Sequence, residues 1–123
     1  MKFKITDTYT YWWPVDVILP DPEKAGKTIK QSFEVQFESI DADESEKLIE
    51  EIAKLPLEEQ KKRQHAELFR VSKNWRGVTD DKGEEELFSE DLLRKAMQRS
   101  WFSRALYKAY AASLVPDETR KGN

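Results

Sequence analysis

TIKQSFEVQFESI, residues 28–40, is the stretch on which the fold turns. Phe33, Val35 and Phe37 fall on one parity, and Glu34, Gln36 and Glu38 on the other. Successive side chains of a strand point to opposite faces, so this period of two predicts a strand with one buried and one wet face. Upstream, YTYWWPVDVIL (9–19) alternates in the same way, with Tyr9, Tyr11, Trp13, Val15, Val17 and Leu19 sharing a parity. Pro14 has no N–H to give to a ladder and suits an edge or a bulge. PDPEKAGK (20–27), with two prolines and a glycine, has the composition of a loop. The two runs therefore read as an antiparallel hairpin with a long connection. Phe3 and Ile5 make the opening segment a candidate for a short third strand.

Beyond the hairpin the period changes. In IDADESEKLIEEIAKL (40–55), Leu48, Ile49, Ile52 and Leu55 fall at helical spacing. Asp41 or Asp43 can cap this helix, and acids in the first turn suit the positive end of its dipole. Pro56 is excluded from a helix interior and tolerated at a helix start, so it marks a break. LEEQKKRQHAELFRVSKNW (57–75) reads as a second helix, polar at first and amphipathic only near its end, through His65, Leu68, Phe69 and Val71. Ser89 is a good N-cap for a third helix, SEDLLRKAMQRS, whose apolar stripe is Leu92, Leu93, Ala96 and Met97. The fourth, WFSRALYKAYAASL (101–114), has Phe102, Ala105, Leu106, Ala109 and Tyr110 on one face, the strongest helical periodicity in the chain. The expectation is an α+β domain over residues 1–115: an antiparallel hairpin, with three strands if the opening segment joins it, packed against four helices. Residues 116–123 read as a flexible C-terminal tail, because Pro116 ends the helix and nothing apolar follows.

At 123 residues the chain has the length of one domain. Charged residues (37%) nearly equal apolar ones (38%), yet four Trp, four Tyr and six Phe are more aromatics than a disordered chain carries. The charge is uneven: residues 1–60 balance to −7 and residues 61–123 to +4, within a net charge of −3. With no cysteine, disulfides, thiolate metal sites and a cysteine nucleophile are excluded. MKFKITDTYT lacks the apolar core of a signal peptide, and no run approaches a membrane span. A soluble protein is expected.

VSKNWRGVTDDKGEEELFSEDLL (71–93) places a tryptophan in what reads as a connection. Trp75 is expected to plug the core where the chain leaves the second helix. Gly77 allows a backbone angle or close approach closed to other residues, and TDDKG, ending at Gly83, is a turn composition. Leu87 or Phe88 can pack back as a staple on the helix capped by Ser89.

No catalytic set emerges. His65, the sole histidine, lies in the charge-dense QKKRQHAEL, without the nucleophile and orienting carboxylate that a triad needs, and reads as a surface or half-buried helix residue. TDDKGEEELFSE lacks the alternating acids and sixth-place glycine of a calcium loop. The glycines at 26, 77, 83 and 122 are scattered, so none build a phosphate cradle. Glu46 and Glu50 share a helical face, but nothing in the sequence buries them unequally, as paired acid–base chemistry requires. The expectation is a non-enzymatic protein with no cofactor and no metal.

Two features stand out from this polar background. From Leu92 to Pro116 there is no acid, whereas Arg94, Lys95, Arg99, Arg104 and Lys108 are present. Either these cations are simply solvated and dipole-favoured, or they form an electropositive surface for an acidic partner. Trp12 and Trp13 must face opposite sides of a strand, and Trp101 and Phe102 cannot share a helix face. One of each pair is then covered by the domain's own loops or exposed for protein contact, where Trp is enriched. The candidate partner-binding residues are Trp12, Trp101, Arg94, Lys95, Arg99, Arg104 and Lys108. Nucleic acid is the weaker partner, since the chain is acidic overall (pI 5.3) and its aromatics fit a core stripe better than a stacking platform. A small nucleic-acid-binding regulator using the basic C-terminal helices is the alternative.

Trp75, Gly77, Val78, Asp80 and Gly83, then Phe88, Ser89, Leu92 and Leu93, then Ala109, Tyr110, Ser113 and Leu114, follow an order that resembles phage and prophage tail assembly chaperones. SFEVQFESIDADESEKLIEEI resembles the family's strand and acidic helix, so the likeness spans most of residues 30–114. Where the family usually has Leu-Pro before the Phe, this chain has Glu86 and Leu87. The resemblance implies a non-enzymatic assembly factor in the bacterial host cytoplasm, absent from the mature virion. It would bind and solubilise the tape measure protein and help recruit tail tube protein; a second copy of the chain is a further candidate partner, with the oligomeric state left open. It also implies a longer frameshifted product, for which an unstructured DETRKGN end is suited.

Overall fold

The computed structural model describes residues 1–39 and 41–116. Its elements run β1 (Thr10–Pro20), β2 (Thr28–Glu38), α1 (Ala42–Ala53), α2 (Leu57–Val71), β3 (Ser72–Arg76), α3 (Glu90–Met97) and α4 (Ser100–Leu114). The architecture is α+β: a three-stranded antiparallel sheet in the order β1-β2-β3, with four helices.

β1 and β2 pair along their full lengths, from Thr10↔Glu38 to Pro20↔Thr28. The connecting loop is drawn tight by Asp21, whose backbone N–H donates to the Lys27 carbonyl at 2.8 Å and whose Oδ1 accepts from the Glu23 N–H. This register puts the odd-numbered apolar residues of both strands on one face. Val15, Val17, Val35 and Phe37 are buried there, with Tyr11, Trp13, Leu19 and Phe33 packed around them. Phe37 is closed over by Tyr11 and Tyr110, with ring centroids 5.9 and 5.2 Å away. The helices complete the core with Leu68 and Val71 of α2, Leu93 and Met97 of α3, and Ala105, Leu106, Ala109 and Tyr110 of α4. Fully burying a side chain of this size contributes roughly 1.5–3 kcal/mol, which makes this shared face the main source of cohesion. Tyr11 also ties β1 to the end of α4 through a 2.7 Å hydrogen bond with the Ser113 hydroxyl. Burial raises the Tyr11 pKa, and the Ser113 hydrogen bond partly offsets that rise.

The third strand comes from an unexpected segment. Phe3 and Ile5 lie outside any strand and are 92% and 89% exposed, which corrects the expectation that the opening segment joins the sheet. The second helix stops at Val71 rather than running to Trp75, and the chain passes directly into β3. Phe37 pairs with Ser72 but Gln36 pairs with Asn74, so Lys73 is an extra residue, a β-bulge. The bulge turns both Ser72 and Trp75 inward, three positions apart instead of two. That spacing imitates a helix, which is why the segment reads as helical in the sequence.

α1 packs chiefly on α2. Exposed ion pairs join the two, Arg63 to Glu51 at 3.1 Å and Arg70 to Glu44 at 2.6 Å. The hydrogen bond from Arg70 holds the Glu44 carboxyl below its ordinary pKa and raises that of the guanidinium. Ion pairs this exposed are screened by solvent and contribute little to stability. Of the expected tail 116–123, residues 117–123 lie outside the described residues. No helix among the described residues is long and apolar enough to cross a membrane.

Candidate functional site

The chain between β3 and α3 determines where the last two helices sit. Gly77, at φ +83, turns the chain away from β3 with its Cα side against the Phe33 backbone. Asp80 then organises a small hairpin: its Oδ1 accepts from the Lys82 and Glu84 N–H groups, and its own N–H donates to the Glu84 carbonyl. Gly83, at φ +82, lets its N–H return to the Asp80 carbonyl at 3.1 Å. Trp75 is the anchor for this unit. It is 6% exposed, its Nε1–H donates to the Glu86 carbonyl at 2.8 Å, and Phe88 stands edge-on to it at 5.2 Å. Phe88 therefore packs back, whereas Leu87 is exposed. Ser89 Oγ accepts from the Leu92 N–H at 3.1 Å and starts α3.

With α3 placed, α4 begins beside β1. Phe102 stacks on Phe33 with centroids 5.5 Å apart and planes 7° from parallel. Adjacent residues on a helix cannot face the same way, so Trp101 is turned outward, 38% exposed. It stands between two concavities. One, of about 630 Å³, runs past Phe33, Val78, Asp80 and Asp81 to Arg99 and Trp101. The other, of about 350 Å³, lies where α4 crosses β1, between Ile18, Leu19 and Pro20 on one side and Arg104 and Lys108 on the other. The surface is an apolar ridge flanked by cations, with Asp16 lining the concavity at α4 and β1 and Asp80 and Asp81 lining the other.

None of Arg94, Lys95, Arg99, Arg104 and Lys108 forms an ion pair among the described residues; those pairs use Arg63, Arg70, Lys73 and Arg76 instead. Arg94 and Lys95 occupy the last turn of α3, where the helix dipole favours cations. The last turn of α4 has no basic residue, so the dipole does not account for Arg104 and Lys108.

The seven candidate partner-binding residues do not form one site. Arg99, Trp101, Arg104 and Lys108 are brought together around the two concavities. Arg94 lies elsewhere, its guanidinium 5.0 Å from the Phe69 ring centroid, and the exposed Lys95 lines neither concavity. Trp12 is on the opposite, wet face of the sheet, half-buried beneath Arg76, whose guanidinium is 4.0 Å from the ring centroid and whose Nε donates to Glu34 at 2.7 Å. That stack gives Trp12 a partner within the molecule, worth roughly 0.5–1 kcal/mol at an exposed site.

Ile18 belongs to the Trp101 surface but was not among the sequence candidates. A signal for it exists: it is an apolar residue on the wet parity of β1, 52% exposed. Asp80 and Asp81 were not among the sequence candidates for partner binding, reading there as turn formers in a segment that fails as a calcium loop. His65 is half-buried in α2, Glu46 and Glu50 are exposed, and no group of three or more His, Asp or Glu with metal-binding geometry occurs among the described residues. What the Trp101 surface offers chemically is apolar contact area plus hydrogen-bond donors carrying positive charge. No protein-family model, curated protein or solved structure matches the chain.

Proposed function

We propose that this chain is a tail assembly chaperone of a long-tailed phage or prophage, acting in the host cytoplasm by holding segments of the tape measure protein. On this reading it keeps that long chain soluble, helps recruit tail tube protein around it, and leaves before the virion is complete. The observation that carries the reading is the Trp101 surface: an outward tryptophan beside Ile18, flanked by cations without acidic partners among the described residues. Exposed Trp and Arg are the residue types that dominate protein–protein hot spots. The motif from Trp75 to Ser89 supports it as well, since its residues act together to position α3 and α4 and so create that surface.

The test is co-expression with the tape measure protein that, on this reading, is encoded beside it. A complex on a sizing column and increased tape measure solubility are expected. Trp101→Ala combined with Arg104→Glu should abolish both while leaving the far-ultraviolet circular dichroism unchanged. Separate elution of the two proteins, with solubility unaltered, would overturn the assignment. Binding to duplex DNA or RNA that weakens steeply with added salt would replace it by the regulator reading.

A further inference from the structure

Residues 1–6 keep the period of a strand without joining the sheet. Met1, Phe3 and Ile5 share the odd parity of the buried residues of β1, and Lys2 and Lys4 alternate with them. That pattern marks a segment with one face to bury. Within one copy the face meets nothing: Met1, Phe3 and Ile5 are all fully or almost fully exposed. A single exposed apolar residue needs no explanation, but three in alternation mark a contact surface. A bend at Asp7, where the Thr6 hydroxyl donates to the Thr8 carbonyl at 2.6 Å, sets this arm apart from β1.

The chain also has an apolar hollow with nothing in it. A concavity of about 300 Å³ lies between α1, α2 and α4, walled by Leu48, Ile52, Leu68, Tyr107 and Leu114. Tyr107 and Leu114 are 46% and 48% exposed. Gln64 also lines it, and its carboxamide can both donate to and accept from the backbone of an extended segment. The chain's own arm does not fill this hollow. Its base lines a different concavity, with Asp7 and Thr8 beside Asp41 and Glu44 at the start of α1.

We propose that two copies of this chain exchange arms, the apolar face of residues 1–6 of each docking in the α1–α2–α4 concavity of the other. Phe3 and Ile5 supply the apolar side chains that the hollow lacks. The polar faces have opposite sign. Lys2 and Lys4 project from the arm's other side, whereas α1 carries five acids against one lysine. Of those acids, Asp43, Glu46 and Glu50 form no ion pair among the described residues. Six extended residues reach about 20 Å, enough to leave one body and lie on another. A reciprocal exchange obeys two-fold symmetry and leaves neither arm nor hollow uncovered. Burying Phe3 alone takes roughly 150–250 Å² out of water, so two arms and two hollows approach the roughly 1,200–2,000 Å² of a stable interface. The contact shares no residue with the Trp101 surface and does not rest on the function proposed above.

The test is sedimentation velocity of the full chain over a series of concentrations, where a reversible dimer is expected. Phe3→Asp combined with Ile5→Asp should raise the dimer Kd more than about a hundredfold, since two large side chains per arm lose their burial. The far-ultraviolet circular dichroism should not change, because the arm lies outside the sheet and helices. Leu114→Glu, on the concavity side, should also give a monomer, and Tyr107→Glu serves as a second such variant if the first misfolds. Mixing the arm variant with a concavity variant should restore a weaker dimer, because each supplies what the other lacks and one of the two contacts is intact. Trp101→Ala with Arg104→Glu should leave the dimer unaltered. A parent chain that stays monomeric, whether its arm is free or folded onto its own concavity, would overturn the proposal. So would a dimer that survives the arm variant, or a mixture in which both variants remain monomers.

Discussion

Replacing Trp75 tests the account of how the last two helices are positioned. Its indole fills the space between Phe33 and Phe88, at 6.3 and 5.2 Å, and its N–H closes on the Glu86 carbonyl. Trp75→Ala removes the ring and leaves a cavity, which costs about 3–5 kcal/mol in well-packed cores. Trp75→Phe keeps an aromatic edge but loses the hydrogen bond and some volume, for about 1–2 kcal/mol. Domains of this size have a total stability of about 5–15 kcal/mol, so the alanine variant should remain folded but markedly weakened. Urea unfolding followed by far-ultraviolet circular dichroism, which does not depend on the altered fluorophore, should show its midpoint fall by about 2 M. Combining Trp75→Phe with Phe33→Leu should cost less than the sum of the two single changes, because the rings touch. A Trp75→Ala variant within about 0.5 kcal/mol of the parent, the range of ordinary surface changes, would refute the bulged strand and the inward indole together.

Three further outcomes follow from the same geometry. Gly77→Ala should destabilise by about 1–2 kcal/mol in urea titrations through its positive φ alone, because Phe33 leaves ordinary van der Waals room for the added methyl. Ser89→Ala should cost about 1 kcal/mol and Ser89→Asp very little, since aspartate can accept the same Leu92 N–H; equal losses would discount the cap. Tyr110 has a folded-state pKa of about 12 against 10 for an ordinary tyrosine, so the folded form holds its proton longer than the unfolded one. The associated stability is full below pH 10 and is lost as pH rises toward 12, and Tyr110→Phe should flatten that alkaline decline in chemical denaturation.

Much of the fold can be read from local pattern, because binary periodicity reports directly on one-sided burial. Phe33, Val35 and Phe37 alternate because a sheet has two faces, and Phe102, Ala105, Leu106, Ala109 and Tyr110 recur at helical spacing because α4 has one buried stripe. Ser89 is legible as a cap for a similarly local reason, its bond spanning only three residues. The Trp75 unit is partly legible: its turn chemistry lies in the sequence, but the carbonyl that receives the indole N–H does not.

The sequence by itself determined the two-faced hairpin, the helical stripes and the separation of acidic and basic halves, all set by residues near one another in the chain. Only the tertiary structure decided that the third strand is Ser72–Arg76, because a bulge at Lys73 exists only against β2 and disguises the strand's period. It also decided that Ile18 lies beside Trp101 and Arg104, and that Glu67 and Tyr110 line one cavity. These neighbours are distant in sequence, and no periodicity encodes which face of one element will meet which face of another. Packing settles that choice through the summed burial of surfaces the local pattern leaves unassigned.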